Sequence, residues 1–292
     1  VVIAADPATM ANAGVAGTAL GPWSGRLSNN SGTVRVRKAS GGIVLETHYH
    51  DNARWPPAAD GAGHSLVLAH PSYGEGSVQA WAASANPGGS PGGLDPVSAT
   101  SFDEVVISEV LTAGSDFVEL YNAGSGSVDL TGCSLSHDPD LAGYIFPSGT
   151  LLPGAYLALT SATLGFSFDA TGDEVYFRDP AGRVVTARKL GAQNSDHSWG
   201  GLTRWGELAT PSPGAVNSEA LRRAIVINEL HYHPSDGENS GEFIGLFNNG
   251  ASAVDLSGWV VKDGVDFVMP DGVTIAAGAY LIVAENRAEL LE

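Results

Sequence analysis

One unit of sequence recurs along this 292-residue chain, and any fold it adopts has to accommodate the copies. Val106-Ile107-Ser108-Glu109 returns 120 positions later as Val226-Ile227-Asn228-Glu229. Phe117-Val118-Glu119-Leu120-Tyr121-Asn122 returns 126 positions later as Phe243-Ile244-Gly245-Leu246-Phe247-Asn248. Val128-Asp129-Leu130-Thr131-Gly132-Cys133 returns at the same spacing as Val254-Asp255-Leu256-Ser257-Gly258-Trp259, and Gly154-Ala155-Tyr156-Leu157 as Gly278-Ala279-Tyr280-Leu281. Self-similarity of this kind marks stacked copies of one supersecondary unit, with loops of unequal length between them.

The two ends carry pieces of the same unit. Residues 1 to about 95 match the later part of the middle copy: Val34 to Arg37 aligns with Val175 to Arg178, and Ser40 to Val44 with Ala181 to Val185, both 141 positions apart. His64-Ser65-Leu66 parallels His197-Ser198-Trp199. Leu281-Ile282-Val283-Ala284-Glu285-Asn286 resembles Val1-Val2-Ile3-Ala4-Ala5-Asp6, so the chain stops in the repeat close to where it began. It therefore reads as a C-terminal half-repeat at 1–95, a complete repeat at 103–217 and an N-terminal half-repeat at 224–292. The Pro/Gly-rich tracts Asn86 to Gly93 and Thr210 to Gly214 separate them as linkers. The start at Val1, without an initiator Met or a signal peptide, is expected of a processed chain or a window of a longer one.

The expected fold class is all-β. Turn signals recur about every 8–12 residues, as in sandwiches and barrels. Val34 to Arg37 alternates strictly, and Phe117 to Tyr121 and Asp173 to Arg178 are rich in β-branched and aromatic residues. Helical turns are expected only after Asp6-Pro7, Ser161 and Asn286. With 14 Lys+Arg against 32 Asp+Glu the net charge is −18, which disfavours nucleic acid and anionic membrane surfaces as partners. At 43% hydrophobic the chain can bury real cores, yet no apolar run approaches the roughly 20 residues of a membrane helix. A single cysteine, Cys133, forms neither an internal disulfide nor a cysteine-based zinc site.

The opening strand Ile225 to Glu229, the strand Glu242 to Leu246, the corner Val254 to Trp259 and the stretch Pro270 to Leu281 together resemble the lamin tail domain. That resemblance implies tandem immunoglobulin-like β-sandwiches, found in nuclear lamins and in many secreted or surface-attached bacterial proteins. The chain departs from the family pattern at Gly245, where the middle copy has Glu119, and at Cys133, where the other copy has Trp259. Trp259 and Cys133 read as core residues following a Gly at a strand start. Asn249-Gly250 reads as a hairpin turn at positive φ, and Asp129 and Asp255 read as acceptors for local backbone N–H groups at a turn.

Catalytic and metal-binding readings are weak. His48-Tyr49-His50 and His231-Tyr232-His233 each place two imidazoles on one strand face, but two ligands are not a site. The acidic clusters Asp138-Pro139-Asp140, Asp169 to Glu174 and Asp263 to Asp266 could offer oxygens to Ca²⁺, yet none has EF-hand spacing, and solvated turns are the favoured reading. Ser195-Asp196-His197 contains triad residue types, but on a strand they would alternate faces. No catalytic, cofactor or metal residues are expected, and the chain is expected not to be an enzyme.

A half-sandwich leaves an apolar face and open strand edges in water, so each end piece is expected to be completed by another copy. The expected assembly is head-to-tail, in a filament or long array of an extracellular or cell-surface bacterial protein. Val1, Val2, Ile3, Ala4, Leu281, Ile282, Val283 and Ala284 are expected at the junction. The alternatives are a non-catalytic accessory module of a larger secreted enzyme, or a module binding a surface glycan through Trp23, Trp55, Trp81, Trp199 or Trp205.

Overall fold

Every segment that the repeats single out contains strand residues. The computed structural model describes residues 1–12, 18–52, 54–96, 100–234 and 241–286, and these are nearly all β. Two units are distinguished by their internal contacts, Val1–Leu221 and Arg222–Glu292.

The first unit opens with β1 (Val2–Ile3), α1 (Pro7–Asn12) and β2 (Ala19–Leu20), β1 and β2 running parallel. Asp6 caps α1 as expected, its Oδ1 accepting the N–H groups of Ala8 and Thr9 at 2.9 and 3.3 Å. A long hairpin follows, β3 (Ser31–Arg37) with β4 (Ile43–His50), and then the antiparallel pair β5 (Leu66–Leu68) and β6 (Trp81–Ala83).

Residues 105–207 supply β7 (Val105–Leu111), β8 (Phe117–Asn122), β9 (Val128–Asp129), β10 (Ser134–Ser136), β11 (Tyr144–Ile145) and β12 (Thr150–Leu151). They continue with β13 (Tyr156–Thr160), α2 (Ser161–Leu164), β14 (Gly172–Arg178), β15 (Val184–Gly191), β16 (Trp199–Gly200) and β17 (Gly206–Glu207). The strands form a five-stranded sheet ordered β13-β8-β7-β16-β17 and a four-stranded sheet ordered β11-β10-β14-β15, with β9 paired to β12. Ile107, Val118 and Leu120 of the first sheet pack in one core with Leu135, Val175 and Phe177 of the second, the inward face of each strand meeting the other sheet. Cys133 lies in this core, as expected, and burial pushes its thiol up to about 12.

The second unit contains β18 (Ile225–His231), β19 (Phe243–Asn248), β20 (Val254–Asp255), β21 (Val260–Val261), β22 (Phe267–Val268), β23 (Thr274–Ile275) and β24 (Tyr280–Ala284). The order β18-β19-β24 repeats β7-β8-β13, and β20-β23 and β21-β22 repeat β9-β12 and β10-β11. Even the irregularity recurs: the ladder slips one residue between Ile107 and Glu109, and again between Ile227 and Glu229. Among the described residues of this unit nothing corresponds to β14 to β17. The counterpart of the β14–β15 hairpin is β3–β4 in the first unit. Ser31 pairs with His50 as Gly172 pairs with Gly191, and the register slips at Val36/Arg37 as it does at Phe177/Arg178, all 141 positions apart.

One buried side chain holds each copy's turn. Asn122 donates from Nδ2 to the carbonyls of Gly126 and Leu151 at 2.8 and 2.9 Å, and its Oδ1 accepts the Gly124 N–H. Asn248 does the same with Ser252, Ile275 and Gly250. This corrects the expectation for Asn249-Gly250: neither residue is at positive φ, because the Asn248 side chain forms the turn. Gly250 is needed for space, since a Cβ there would sit 3.0 Å from the Ala224 Cβ. Asp129 and Asp255 behave as expected, accepting the N–H groups of Thr131 and Ser257. Ser195-Asp196 is a turn, not a strand, because Asn194 accepts the Asp196 N–H at 2.9 Å. Of the expected helical turns, α1 and α2 form, and the one after Asn286 falls outside the described residues.

Within the first unit, residues 57–64 cover the outer edge of β15. Ala58 and Ala62 pack against Tyr176 and Val184. His64 Nε2 accepts the Val184 N–H at 3.0 Å, so Nδ1 carries the proton and donates to the Ser84 carbonyl at 2.7 Å. Burial leads the causes that lower the pKa of His64 from 6.5.

Two predictions follow from these buried polar groups. Replacing Asn122 with Ala leaves buried carbonyls without a donor and lowers the stability of the first unit by about 2–4 kcal/mol in chemical denaturation, against little change for Asn249→Ala. The neutral His64 contributes stability that is fully present above pH 6.5 and is lost as the pH falls through its lowered folded value. NMR should show the Val184 amide protected at pH 7.5 and losing its protection, after correction for intrinsic exchange, once the pH falls through the lowered folded value, with His64→Gln lacking that protection throughout.

Candidate functional site

A buried polar cluster is built where β7 and β8 meet the Pro/Gly tract after β17. Glu109 and Glu119 stand on adjacent strands, paired across the ladder, and both are fully buried. Glu109 accepts from Ser198 Oγ at 2.5 Å, from the Ser212 N–H and Oγ at 2.8 and 2.6 Å, and from Asn217 Nδ2 at 3.1 Å. Glu119 accepts from Ser108 Oγ at 2.7 Å and from the Gly214 N–H at 2.6 Å. Desolvation leads the causes that raise the pKa of Glu119; the hydrogen bonds from Ser108 and Gly214 oppose it, and the neighbouring Glu109 adds to it. These contacts span about a hundred residues of sequence and staple residues 212–217 onto the outer face of β7 and β8, since Glu119 alternates with the core residues Val118 and Leu120. The carboxylates are closed from solvent and engaged by donors, which suits a structural clasp.

No sequence motif announced this clasp, yet a signal was present. Ser212-Pro213-Gly214-Ala215-Val216-Asn217 recurs 122 positions earlier as Ser90-Pro91-Gly92-Gly93-Leu94-Asp95. In the second unit Glu229 takes the register position of Glu109, and Gly245 that of Glu119. Glu229 is exposed.

The side chains that the middle repeat buries between its sheets are left open at both ends of the chain. Ile227 is 62% exposed where Ile107 is 0%, and Trp259 is 50% exposed where Cys133 is 0%. The expectation of a core Trp259 is thus corrected: no strands cover it among the described residues of its unit. Leu230, the counterpart of the fully buried Val110, is 59% exposed. On β3–β4, Val36 is 49% exposed where Phe177 is 0% and Val34 is 45% exposed where Val175 is 0%, and Leu45, paired with Val36, is likewise open. A cleft of about 660 Å³ lies against this hairpin, lined by Val34, Tyr49, Trp55, Leu66 and Trp81.

Of the residues expected at a junction, Val1, Val2, Ile3 and Ala4 belong to the first unit, with Val1 and Ile3 exposed and Ala4 buried. Leu281, Ile282, Val283 and Ala284 lie in β24 of the second. β24 pairs only with β19, but β13 is also an edge strand in the middle repeat, so that open edge belongs to the repeat itself. The edge that differs between copies is β18, whose counterpart β7 is paired on both sides.

The remaining candidates are occupied locally. His48 and His50 are exposed on one face of β4, the first bonded to Thr33 and the second to Asp51, while His231 is bonded to the Gly241 carbonyl. Asp138 and Asp169 accept the N–H groups of Asp140 and Thr171, and Asp266 pairs with Lys262. Among the described residues, no three His, Cys, Asp or Glu side chains converge where a metal ion could be held, and no helix is long and apolar enough to cross a membrane. Trp55 and Trp81 stand 6.4 Å apart in the cleft, and Trp205 lies under the Arg188 guanidinium. Trp199 packs against the core, and Trp23 is exposed.

A family model described as Lamin Tail Domain matches residues 98–192 and 218–290, more than half of the chain. Neither the curated proteins nor the solved structures contain a significant match. The two matched segments begin just ahead of β7 and β18, the strands whose shared register and bulge define the repeat, and on both grounds the chain belongs to the lamin tail domain family.

Proposed function

We propose that this chain is a structural or adhesive repeat unit of an extracellular or cell-surface bacterial protein, in which residues 224–292 and 1–95 are the two halves of one sandwich and complete each other head-to-tail between copies. One observation carries the reading: β3–β4 has the register of β14–β15, residue for residue, while the described residues of the second unit have the register of β7 to β13. The exposed side chains follow the same division. Those open on β18 and at Trp259 correspond to one inner face of the middle sandwich, and those open on β3–β4 to the other.

Magnitudes indicate what such a contact needs. Completing the burial of a half-exposed Ile, Leu or Val contributes roughly 1 kcal/mol. The five open between the halves, Ile227, Leu230, Val34, Val36 and Leu45, together contribute on the order of 5 kcal/mol, near the low end of the order of 4–15 kcal/mol that association costs. The apolar faces alone therefore support only weak association, and strand pairing and polar contacts have to supply the rest. A heterologous contact of this kind does not exhaust itself in a dimer, so it generates a filament or a closed ring.

The pair Trp55–Trp81 in one cleft favours a second reading, a carbohydrate-binding accessory module of a larger secreted enzyme. Saturable glycan binding abolished by Trp55→Ala would support it. The main reading predicts that sedimentation of the full chain shows assemblies growing with concentration, and that Trp259→Asp, at an exposed position, reduces them without unfolding either unit. A chain that stays monomeric at every attainable concentration contradicts it.

A further inference from the structure

The middle repeat shows what a strand of the β7 type rests on. β7 lies between β8 and β16, with Val110 opposite Trp199 and Glu109 opposite Gly200. By the match of His64-Ser65-Leu66 to His197-Ser198-Trp199, β5 is the counterpart of β16, yet among the described residues β5 pairs only with β6. Along β5 runs a groove of about 820 Å³, lined by Ser65 to Ala69 on one side and by residues from Gly88 to Asp95 on the other. Resting on the complementation reading, we propose that this groove is a strand-acceptor site whose occupant is β18 of a second copy, antiparallel to β5, with Glu229 held by the turn at Ser90.

The acceptor turn already has the required shape. In the clasp, Ala215 donates its N–H to the Ser212 carbonyl at 3.2 Å and Gly214 stands at φ +80°. In the groove, Gly93 donates to the Ser90 carbonyl at 3.0 Å and Gly92 stands at φ +78°. Positive φ at this position favours Gly, and it turns the backbone N–H groups toward a carboxylate. Ser90 offers the same N–H and hydroxyl donors that Ser212 gives to Glu109. The register of β7 on β16 sets Leu230 opposite Leu66 and Glu229 opposite Val67, where the middle repeat has Gly200. A Cβ on Gly200 would sit 2.7 Å from the Ser108 carbonyl oxygen, so β18 has to shift from the β7 position to admit the Val67 side chain.

Three substitutions between the clasp and the groove compensate one another. Glu119 becomes Gly245, Asn217 becomes Asp95 and Ser108 becomes Asn228. The clasp carries two carboxylates and its amide on the turn; the groove with β18 would carry two carboxylates and its amide on the strand. Asp95 Oδ2 accepts the Ala85 N–H at 2.8 Å, whereas its buried Oδ1 has no partner among the described residues. A buried carboxylate oxygen without a donor is costly, and the exposed Asn228 side chain is the donor that β18 would bring. The same exchange sets specificity, because the β7–β8 pair placed in this groove would bring Glu109 and Glu119 against Asp95, three carboxylates together.

The test uses the full chain with Leu66→Cys and Leu230→Cys, leaving the buried Cys133 in place. Mild oxidation should give a ladder of covalent multimers. A single fast-migrating monomer, cross-linked within one molecule, overturns the second copy as occupant. No cross-link while sedimentation still shows assemblies overturns this site but leaves complementation standing, and the absence of assemblies overturns both. In a parallel cycle, Asn228→Asp alone should weaken association about tenfold or more, and Asp95→Asn with Asn228→Asp should restore it. A double variant as weak as the single one overturns the proposed Asp95–Asn228 contact.

Discussion

An apolar sheet face has to be covered, and everything about this chain turns on how its copies meet that requirement. In the middle repeat two sheets cover each other, with Ile107 and Leu120 meeting Val175 and Phe177 in one core. In the second unit the same register of strands presents Ile227, Leu230 and Trp259 to solvent. The β3–β4 hairpin presents the opposite set. A face and an edge left open in this way promote association, and a repeat protein can use that tendency as its assembly chemistry.

The polar groups decide which association is productive. Buried hydrogen-bonding groups add little net attraction when satisfied and cost much when they are not. Asn122 and Asn248 use this within a copy, pinning the turn that lets β8 and β19 begin their sheets in the correct register. Glu109 and Glu119 use it over a longer span, tying the first strands of the repeat to the tract that ends it. His64 uses it between successive repeats, by taking the one edge N–H that residues 57–64 would otherwise leave bare.

The repeat, its register and its strand content were legible because a period-2 pattern copied at a fixed spacing keeps the same residues facing inward in each copy. The caps at Asp6 and the turns at Asp129 and Asp255 were legible because they are local. The clasp was not, since its partners lie 103 and 95 positions apart and neither Glu differs from an ordinary strand carboxylate in sequence. Asn249-Gly250 misled because the turn is made by the residue before it. Trp259 misled because a residue's burial depends on strands that its own unit does not contain.

Hydrogen exchange across a concentration series tests the central claim most directly. If the open halves complete one another, the amides of Ile225–His231 and of Leu66–Leu68 gain protection together as concentration rises, while those of β7 and β16 stay protected throughout. Fast exchange in both segments at all concentrations, with the middle repeat intact, would contradict it.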